Sequence, residues 1–419
     1  MYQKVRGTQD ILPGESEKWQ KIEDEIKKIC RLYNLNEIRT PVIEHTEVFI
    51  RSIGEETDIV SKEMYSLTTK GEKNITLRPE GTAGAVRCYV ENNVYKTENM
   101  SRWYYTGPMF RAERPQKGRQ RQFHQFGIEL IGSDSPLCDA EVILANIDFF
   151  NNLGLKNLTL KINSVGCEIC RPEYLKALKD YFSDKLDNLC EQCKIRYQKN
   201  ILRILDCKAE TCQTILNSAP SLNEHLCGEC NKHFDKVKLY LSSKDFVIDK
   251  RLVRGLDYYT KTAFEITSSS LGSQDALAGG GRYDNLIKDF CGKKIPAVGS
   301  AAGIERLIIA LSGSEFFSNI NSNLDVFIAY FSEEFIGDAL KTQELIRRKN
   351  YSCVLSDKAK KIGAQLKDAD KLKAKFVMII GEDEIKSKIF TIKELKTGQQ
   401  YKLSIDDFVK NLLPVEKIK

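Results

Sequence analysis

With 419 residues, 42% of them hydrophobic and 29% charged, the chain has the balance of a folded globular protein and material for two or three domains at ~150 residues each. Lys and Arg outnumber Asp and Glu by 64 to 58, and a net charge of +6 is too small for the whole protein to act as a polycation, so any polyanion site must rest on local clustering. No apolar run approaches the ~20 residues that cross a bilayer, and the opening MYQKVRGTQD lacks a signal-peptide core, so a cytoplasmic protein without membrane contact is expected.

From Ser16 onward, Trp19, Ile22, Ile26, Ile29 and Leu32 recur at helical spacing and predict an amphipathic helix. The segment NEIRTPVIEHTEVF then reads as extended and broken by Pro41, which suits a sheet edge where subunits meet. Met64 to Leu77 reads as a hairpin turning at Lys70 and Gly71, with a helix after it. Glu80, Gly81 and Thr82 sit at that strand-to-helix junction, where free backbone N–H groups and a carboxylate suit either a bound zwitterion or a plain helix cap.

Trp103 to Gly132, WYYTGPMFRAERPQKGRQRQFHQFGIELIG, reads as two strands joined by a polar loop. Alternation puts Arg121, Phe123, Gln125, Gly127 and Glu129 on one face, where an ordinary core strand would carry Val and Ile. Such a face is either solvated or built to bind. Arg111, Arg114, Lys117, Arg119 and Arg121 against the single acid Glu113 favour a bound polyanion, because guanidinium forks match phosphate oxygens. A helix is expected from about Leu137 to Asn152.

Residues 165–243 change character: lysine-rich helical segments carry eight of the thirteen cysteines and read as an inserted helical module. Cytosolic cysteines are thiols or metal ligands more often than disulfides. Cys190-x-x-Cys193 and Cys227-x-x-Cys230 form two knuckle pairs, with Cys207, Cys212 and Cys167/Cys170 nearby. A structural Zn2+ on Cys190, Cys193, Cys227 and Cys230 is one reading; reduced thiols packed as small hydrophobes is the other. The 34-residue step from Cys193 to Cys227 exceeds the ~15–20 of compact zinc ribbons.

Three further segments follow: LVRGLDYYTKTAFEIT with Arg254, Tyr258 and Tyr259; ALAGGGRYDNL with Tyr283; and PAVGSAAGIERLIIAL with Arg306 just inside a helix. A buried Arg306 would need an anion. Beyond residue 324, strand-like DVFIAYF, YSCVLSD and KFVMIIG alternate with helical stretches, the mark of a βαβαβ unit.

Taken together, RGTQDILPGE, the segment ending at Pro41, MFRAERPQKGRQRQFHQ, VRGLDYY, GGGRYD and VGSAAGIERL resemble, in order, the N-terminal signature, motif 1, motif 2, the two histidine peptides and motif 3 of the histidyl-tRNA synthetase family among class II aminoacyl-tRNA synthetases. The resemblance spans nearly the whole chain. It implies an α+β catalytic domain over 1–324, an antiparallel sheet flanked by helices and interrupted by the 165–243 insertion. A C-terminal α/β anticodon-binding domain over 325–419 would follow. It implies that L-histidine and ATP, with Mg2+, form histidyl-adenylate, whose histidyl group passes to the 3′ end of histidine tRNA, and that the enzyme is a homodimer. By the same resemblance, Arg111 and Arg254 act at the α-phosphate, Glu113 and Phe123 hold the adenine, and Arg119, Arg121 and Arg306 hold the outer phosphates. Glu80, Gly81, Thr82 and Gln125 would hold the histidine ammonium, Glu129, Tyr258, Tyr259 and Tyr283 its side chain, and Arg114 and Gln116 the acceptor end of the tRNA. Two other classes are weighed. A non-catalytic regulatory paralogue of histidine biosynthesis would dispense with VRGLDYY and the C-terminal domain, and a tRNA-sensing module would not need Glu113, Phe123 and Arg306 together; the chain keeps them all.

Overall fold

The alternation in QFHQFGIELI sets the architecture, because Phe126, Ile128 and Leu130 face one side of their strand while Gln125, Gly127 and Glu129 face the other. A computed structural model describes residues 2–54, 57, 59–253, 258–271, 275–318 and 324–412. In it the strand lies inside an eight-stranded sheet. The order is Asn36–Glu37, Ser101–Phe110, Gln122–Ile131, Ala297–Gly303, Ala276–Arg282, Thr260–Ser268, Leu158–Ser164 and Phe246–Ile248. The six inner strands are antiparallel, and the short strand at each edge pairs in parallel.

The apolar face of this sheet packs against helices Ser16–Leu32, Pro136–Asn152 and Ile304–Ala310, so that Trp19, Ile22, Ile26 and Ile29 are buried with Phe126, Ile128, Phe149 and Phe150. Leu32, read as part of that stripe, is 64% exposed at the last turn. The opposite face is covered by helix Thr82–Glu91 and by the segment between Ser164 and Phe246. Helices Arg171–Ser183, Glu191–Lys199 and Glu210–Leu216 of that segment pack there, whereas Gly228–Tyr240 returns to the apolar face, where Phe234 and Val237 join the core with helix Pro136–Asn152. One expectation fails locally: the extended reading through Phe49 gives way to a helix, Thr46–Ile53, whose buried Phe49 and Ile53 pack beside Ala83. Tertiary burial overrides the β-propensity of Val48 and Ile50 there. Ahead of this helix, Ile43–His45 joins Asn74–Leu77 and Tyr65–Thr68 in a small antiparallel sheet.

Two compact units divide the chain, Met1–Asn319 and Ile320–Lys419. In the second, Cys353–Leu355, Val326–Tyr330 and Phe376–Ile380 are parallel, with helices Ile336–Arg348 and Ile362–Lys371 between them in sequence. Two antiparallel strands, Phe390–Glu394 and Gln400–Leu403, extend this sheet beyond the βαβαβ pattern.

Candidate active site

Glycine placement builds one end of the site. Tyr105 and Gly127 are directly paired across the hairpin, and Tyr105 also lies against Gly81 at the start of helix Thr82–Glu91. A Cβ on Gly81 would come within 2.6 Å of the Tyr105 hydroxyl, and one on Gly127 within 2.6 Å of Tyr105 Cε2, with other ring atoms nearer still in both cases. Only glycine on both sides leaves room for the ring. Gly299 repeats the device, since its Cβ would stand 2.7 Å from Glu129 Cδ and 2.7 Å from the Ile128 carbonyl oxygen.

Glu129 is therefore enclosed, at 0% exposure. Thr82 Oγ1 donates to Glu129 Oε1 at 2.7 Å, the Tyr105 hydroxyl reaches the same oxygen at 3.4 Å, and the Tyr283 hydroxyl donates to Oε2. Burial pushes the Glu129 carboxyl up to about 8 against the opposing pull of these hydroxyls, with the nearby Glu80 charge adding to the rise. Glu80 is also buried and raised, chiefly by desolvation, while the Thr82 and Ala83 N–H groups donate to its two oxygens at 2.7 and 2.8 Å. The cap reading of Glu80 thus describes its contacts, and the carboxylate still lines the cavity in front of it.

That cavity holds about 330 Å3. Its walls bring together Glu80, Thr82, Gln125, Tyr258, Tyr259 and Tyr283 with Arg111, Glu113, Arg119, Phe123 and Arg306. Glu129 lies behind this wall, reaching it through the Thr82 and Tyr283 hydroxyls. Tyr258 packs between Tyr259 and Tyr283, with ring centroids 4.7 and 5.6 Å away. Gln125 Oε1 is buried and accepts from no donor among the described residues, so the wall presents one acceptor for an incoming N–H.

Six residues along the strand, ~20 Å away at ~3.4 Å per residue, the character changes to cationic. The Arg111 guanidinium stands 5.2 Å from the Phe123 ring centroid while its Nε donates to the Pro79 carbonyl at 2.9 Å. Arg119 pairs with Glu113, a buried acid, and Arg111 lies 3.8 Å from that carboxylate. Arg306 crosses from its helix to donate to the Gly118 carbonyl at 3.3 Å and the Ala276 carbonyl at 2.7 Å. Arg111, Arg119, Glu265 and Arg306 also line a wider cavity of about 720 Å3, whose far wall carries Arg196, Arg203, Lys208 and Arg251.

Some expected residues lie elsewhere. Arg121 is off the cavity wall: its Nε donates to the Glu113 carbonyl at 3.2 Å, and its stem packs over Gly7. Arg114 and Gln116 are exposed on the loop, where Gln116 and Arg119 close a turn. Arg254 lies outside the described residues. The proposed cysteine tetrad is corrected, because Cys190, Cys193, Cys227 and Cys230 do not meet: Cys167, Cys170, Cys227 and Cys230 form one group and Cys190, Cys193, Cys207 and Cys212 another. Tyr105, Glu265 and Glu305 were not singled out from the sequence. Glu305 receives the His124 backbone N–H at 3.0 Å and so fixes the strand beside Phe123. For Tyr105 the signal was present, in a glycine facing an aromatic residue across the hairpin.

A family model described as histidyl-tRNA synthetase matches residues 7–307, and one described as an anticodon binding domain matches residues 325–413. Over 406 residues the chain is 48% identical to the histidine–tRNA ligase of Natranaerobius thermophilus, covering 96% of each. It is 48% identical over 411 residues to that of Thermosipho melanesiensis, covering 98% of each. The crystal structure of apo S. aureus histidyl-tRNA synthetase matches with a TM-score of 0.82 at 36% identity, covering 98% of this chain and 99% of that one.

Proposed function

The chain belongs to the histidyl-tRNA synthetase family, and on that premise we propose which residues carry each part of the reaction. The enzyme is an ATP-dependent histidine–tRNA ligase. Histidine carboxylate attacks the α-phosphorus of ATP, pyrophosphate leaves, and a ribose hydroxyl of the terminal adenosine of histidine tRNA then takes the histidyl group from AMP. The observation that carries the residue assignment is the polarity of the cavity, with buried acids and tyrosines at one end and Arg111, Arg119 and Arg306 around Phe123 at the other.

At the acidic end, Glu80, Thr82 and Gln125 receive the α-ammonium, with the unmet Gln125 oxygen as a ready acceptor. Tyr258, Tyr259 and Tyr283 enclose the imidazole, and Glu129 holds Thr82 and Tyr283 in register beneath it. A site whose polar groups are buried and aligned rejects apolar analogues, because those groups would be left unpaired.

At the cationic end, Phe123 offers its ring and Glu113 its carboxylate to the adenine. Arg111 and Arg254 are assigned to the α-phosphate, and Arg119 and Arg306, supported by Arg121 behind Glu113, to the outer phosphates. Charge that develops as pyrophosphate leaves is stabilised by donors already in place. Magnesium neutralises phosphate charge when bound; Glu265 fits as its ligand, since it lies where the narrow cavity opens into the arginine-lined one. Arg114 and Gln116, exposed on the loop tip, are assigned to the tRNA acceptor end. We place the enzyme in the cytoplasm, where tRNA is charged, and as a homodimer through the segment around Pro41. The two-residue strand Asn36–Glu37 leaves a sheet edge there, and Ile43 beyond it is 52% exposed. The cysteines of the insertion are assigned to structural zinc, outside the reaction.

Charging of a histidine tRNA transcript with each of the twenty amino acids tests the reading. Histidine alone should be esterified to the tRNA, and charging by another amino acid at a comparable rate would refute the assignment of the acidic end.

A further inference from the structure

Eight thiols from four separate chain segments converge on two points of the insertion. In each group all four sulfurs lie within 4.8 Å of one another. The closest approaches are 3.7 Å for Cys167–Cys170 and 3.8 Å for Cys167–Cys227, Cys170–Cys230 and Cys190–Cys207. Disulfides, at ~2.05 Å between sulfurs, are excluded by these distances. A tetrahedral zinc with Zn–S bonds of ~2.3 Å has an S–S edge of about 3.8 Å, since the edge is about 1.63 times the bond. The separations match that edge.

Two further observations point to thiolates gathered around a cation. Backbone N–H groups donate to sulfur in both groups: Cys167 N to Cys170 Sγ at 3.1 Å, Cys190 N to Cys212 Sγ at 3.3 Å, and Ala209 N to Cys207 Sγ at 3.4 Å. Such donors stabilise charged sulfur ligands in metal sites. The pairs also share one local design. Cys170 immediately precedes helix Arg171–Ser183, and Cys193, Cys212 and Cys230 sit in the first turns of the other three insertion helices.

We propose that the insertion holds two structural zinc ions, one on Cys167, Cys170, Cys227 and Cys230 and the other on Cys190, Cys193, Cys207 and Cys212. The proposal rests on the assignment of these cysteines to zinc and is independent of the ligase assignment. The first ion joins the point where the chain leaves the catalytic sheet, just after Leu158–Ser164, to the helix that brings it back. It also stands one residue from Arg171, whose guanidinium donates to the Tyr259 carbonyl at 2.6 Å and the Val165 carbonyl at 3.2 Å. The proximal metal thereby holds the backbone of a residue on the cavity wall. The second ion joins helix Glu191–Lys199 to helix Glu210–Leu216, and so sets the positions of Arg196, Arg203 and Lys208 on the wall of the wider cavity.

The test is elemental analysis of the full chain purified without chelator, alongside Cys167→Ser/Cys227→Ser and Cys190→Ser/Cys212→Ser. Two equivalents of zinc per chain are expected in the unsubstituted protein and one in each double variant. Mercurial titration of the unsubstituted protein should release both equivalents, a readout that stands even if a variant fails to fold. One equivalent or none in the unsubstituted protein, iron in place of zinc, or two equivalents retained by either double variant would overturn the proposal. Histidine-dependent pyrophosphate exchange on the same unsubstituted sample reports the ligase reading separately, whatever the metal content.

Discussion

Replacing Glu129 with Gln separates recognition from folding, because the two respond in opposite directions. The wild-type carboxylate accepts from Thr82 and Tyr283, and Tyr105 lies within 3.4 Å. An amide of the same shape keeps one acceptor oxygen and turns the other position into a donor facing a hydroxyl. Because Glu129 keeps its proton below about pH 8, these are hydrogen bonds between neutral groups, ~0.5–1.5 kcal/mol each, so misaligning the Thr82 or Tyr283 hydroxyl should raise the histidine KM by roughly 2- to 12-fold. Stability should move the other way. Glu129 titrates at about 8 in the folded protein against an ordinary value of 4.5, so between those pH values the unfolded chain has lost its proton while the folded one keeps it. Wild-type stability therefore falls as pH rises through this window, then levels off above about 8. At ~1.4 kcal/mol per pH unit, the interval sets a ceiling on the order of 5 kcal/mol. Glu129→Gln lacks that loss, so melting temperatures of variant and wild type should diverge in the variant's favour from pH 5 to pH 8. The histidine KM would be followed by pyrophosphate exchange at the same pH values. An unchanged KM, or a variant destabilised equally at every pH, would refute the reasoning.

Gly127→Ala should destabilise the enzyme by ~1–3 kcal/mol and reduce exchange, since the new methyl meets the Tyr105 ring; a melting temperature equal to wild type would show that the ring has room to move. Asp139 is fully buried between Arg282 and His233; burial opposes its ionisation, but hydrogen bonds from His233 and Arg282 hold it below the usual carboxylate range. Asp139→Asn should accordingly lower denaturant stability, by at most ~3–5 kcal/mol, because it removes one of the two carboxylates, Asp139 and Asp284, that neutralise the buried Arg282 charge. Arg254→Ala should slow adenylate formation by ~10²–10³ with histidine binding little changed, as for loss of one donor to transition-state charge; single-turnover exchange within a few-fold of wild type would remove Arg254 from the chemistry.

The strand framework was legible because its signals are local. Period-two alternation in QFHQFGIELI placed Gln125, Gly127 and Glu129 opposite Phe126, Ile128 and Leu130, and period-3.6 spacing located helix Ser16–Leu32. What depends on distant partners was not legible. Tyr105 becomes part of the site only where Gly81 and Gly127 flank it, and Glu129 lies behind the cavity wall because Gly299 yields space from another strand. Arg121 shares the parity of Phe123, yet it is drawn away by the Glu113 carbonyl. The cysteines show the same limit: C-x-x-C spacing marks each knuckle, but which knuckles join is decided by helix packing across 60 residues, as between Cys167 and Cys227. Helix Thr46–Ile53 was missed because its β-branched residues favour strand locally, whereas burial of Phe49 and Ile53 decides the outcome.

The central claim is that one cavity activates histidine with ATP before any tRNA is involved. ATP–pyrophosphate exchange measured without tRNA, with each of the twenty amino acids in turn, tests it most directly. Exchange is expected with histidine and to fall by ~10²–10³ in Arg111→Ala, as for loss of one donor to developing charge. No histidine-dependent exchange, or exchange that survives Arg111→Ala at the wild-type rate, would contradict the account.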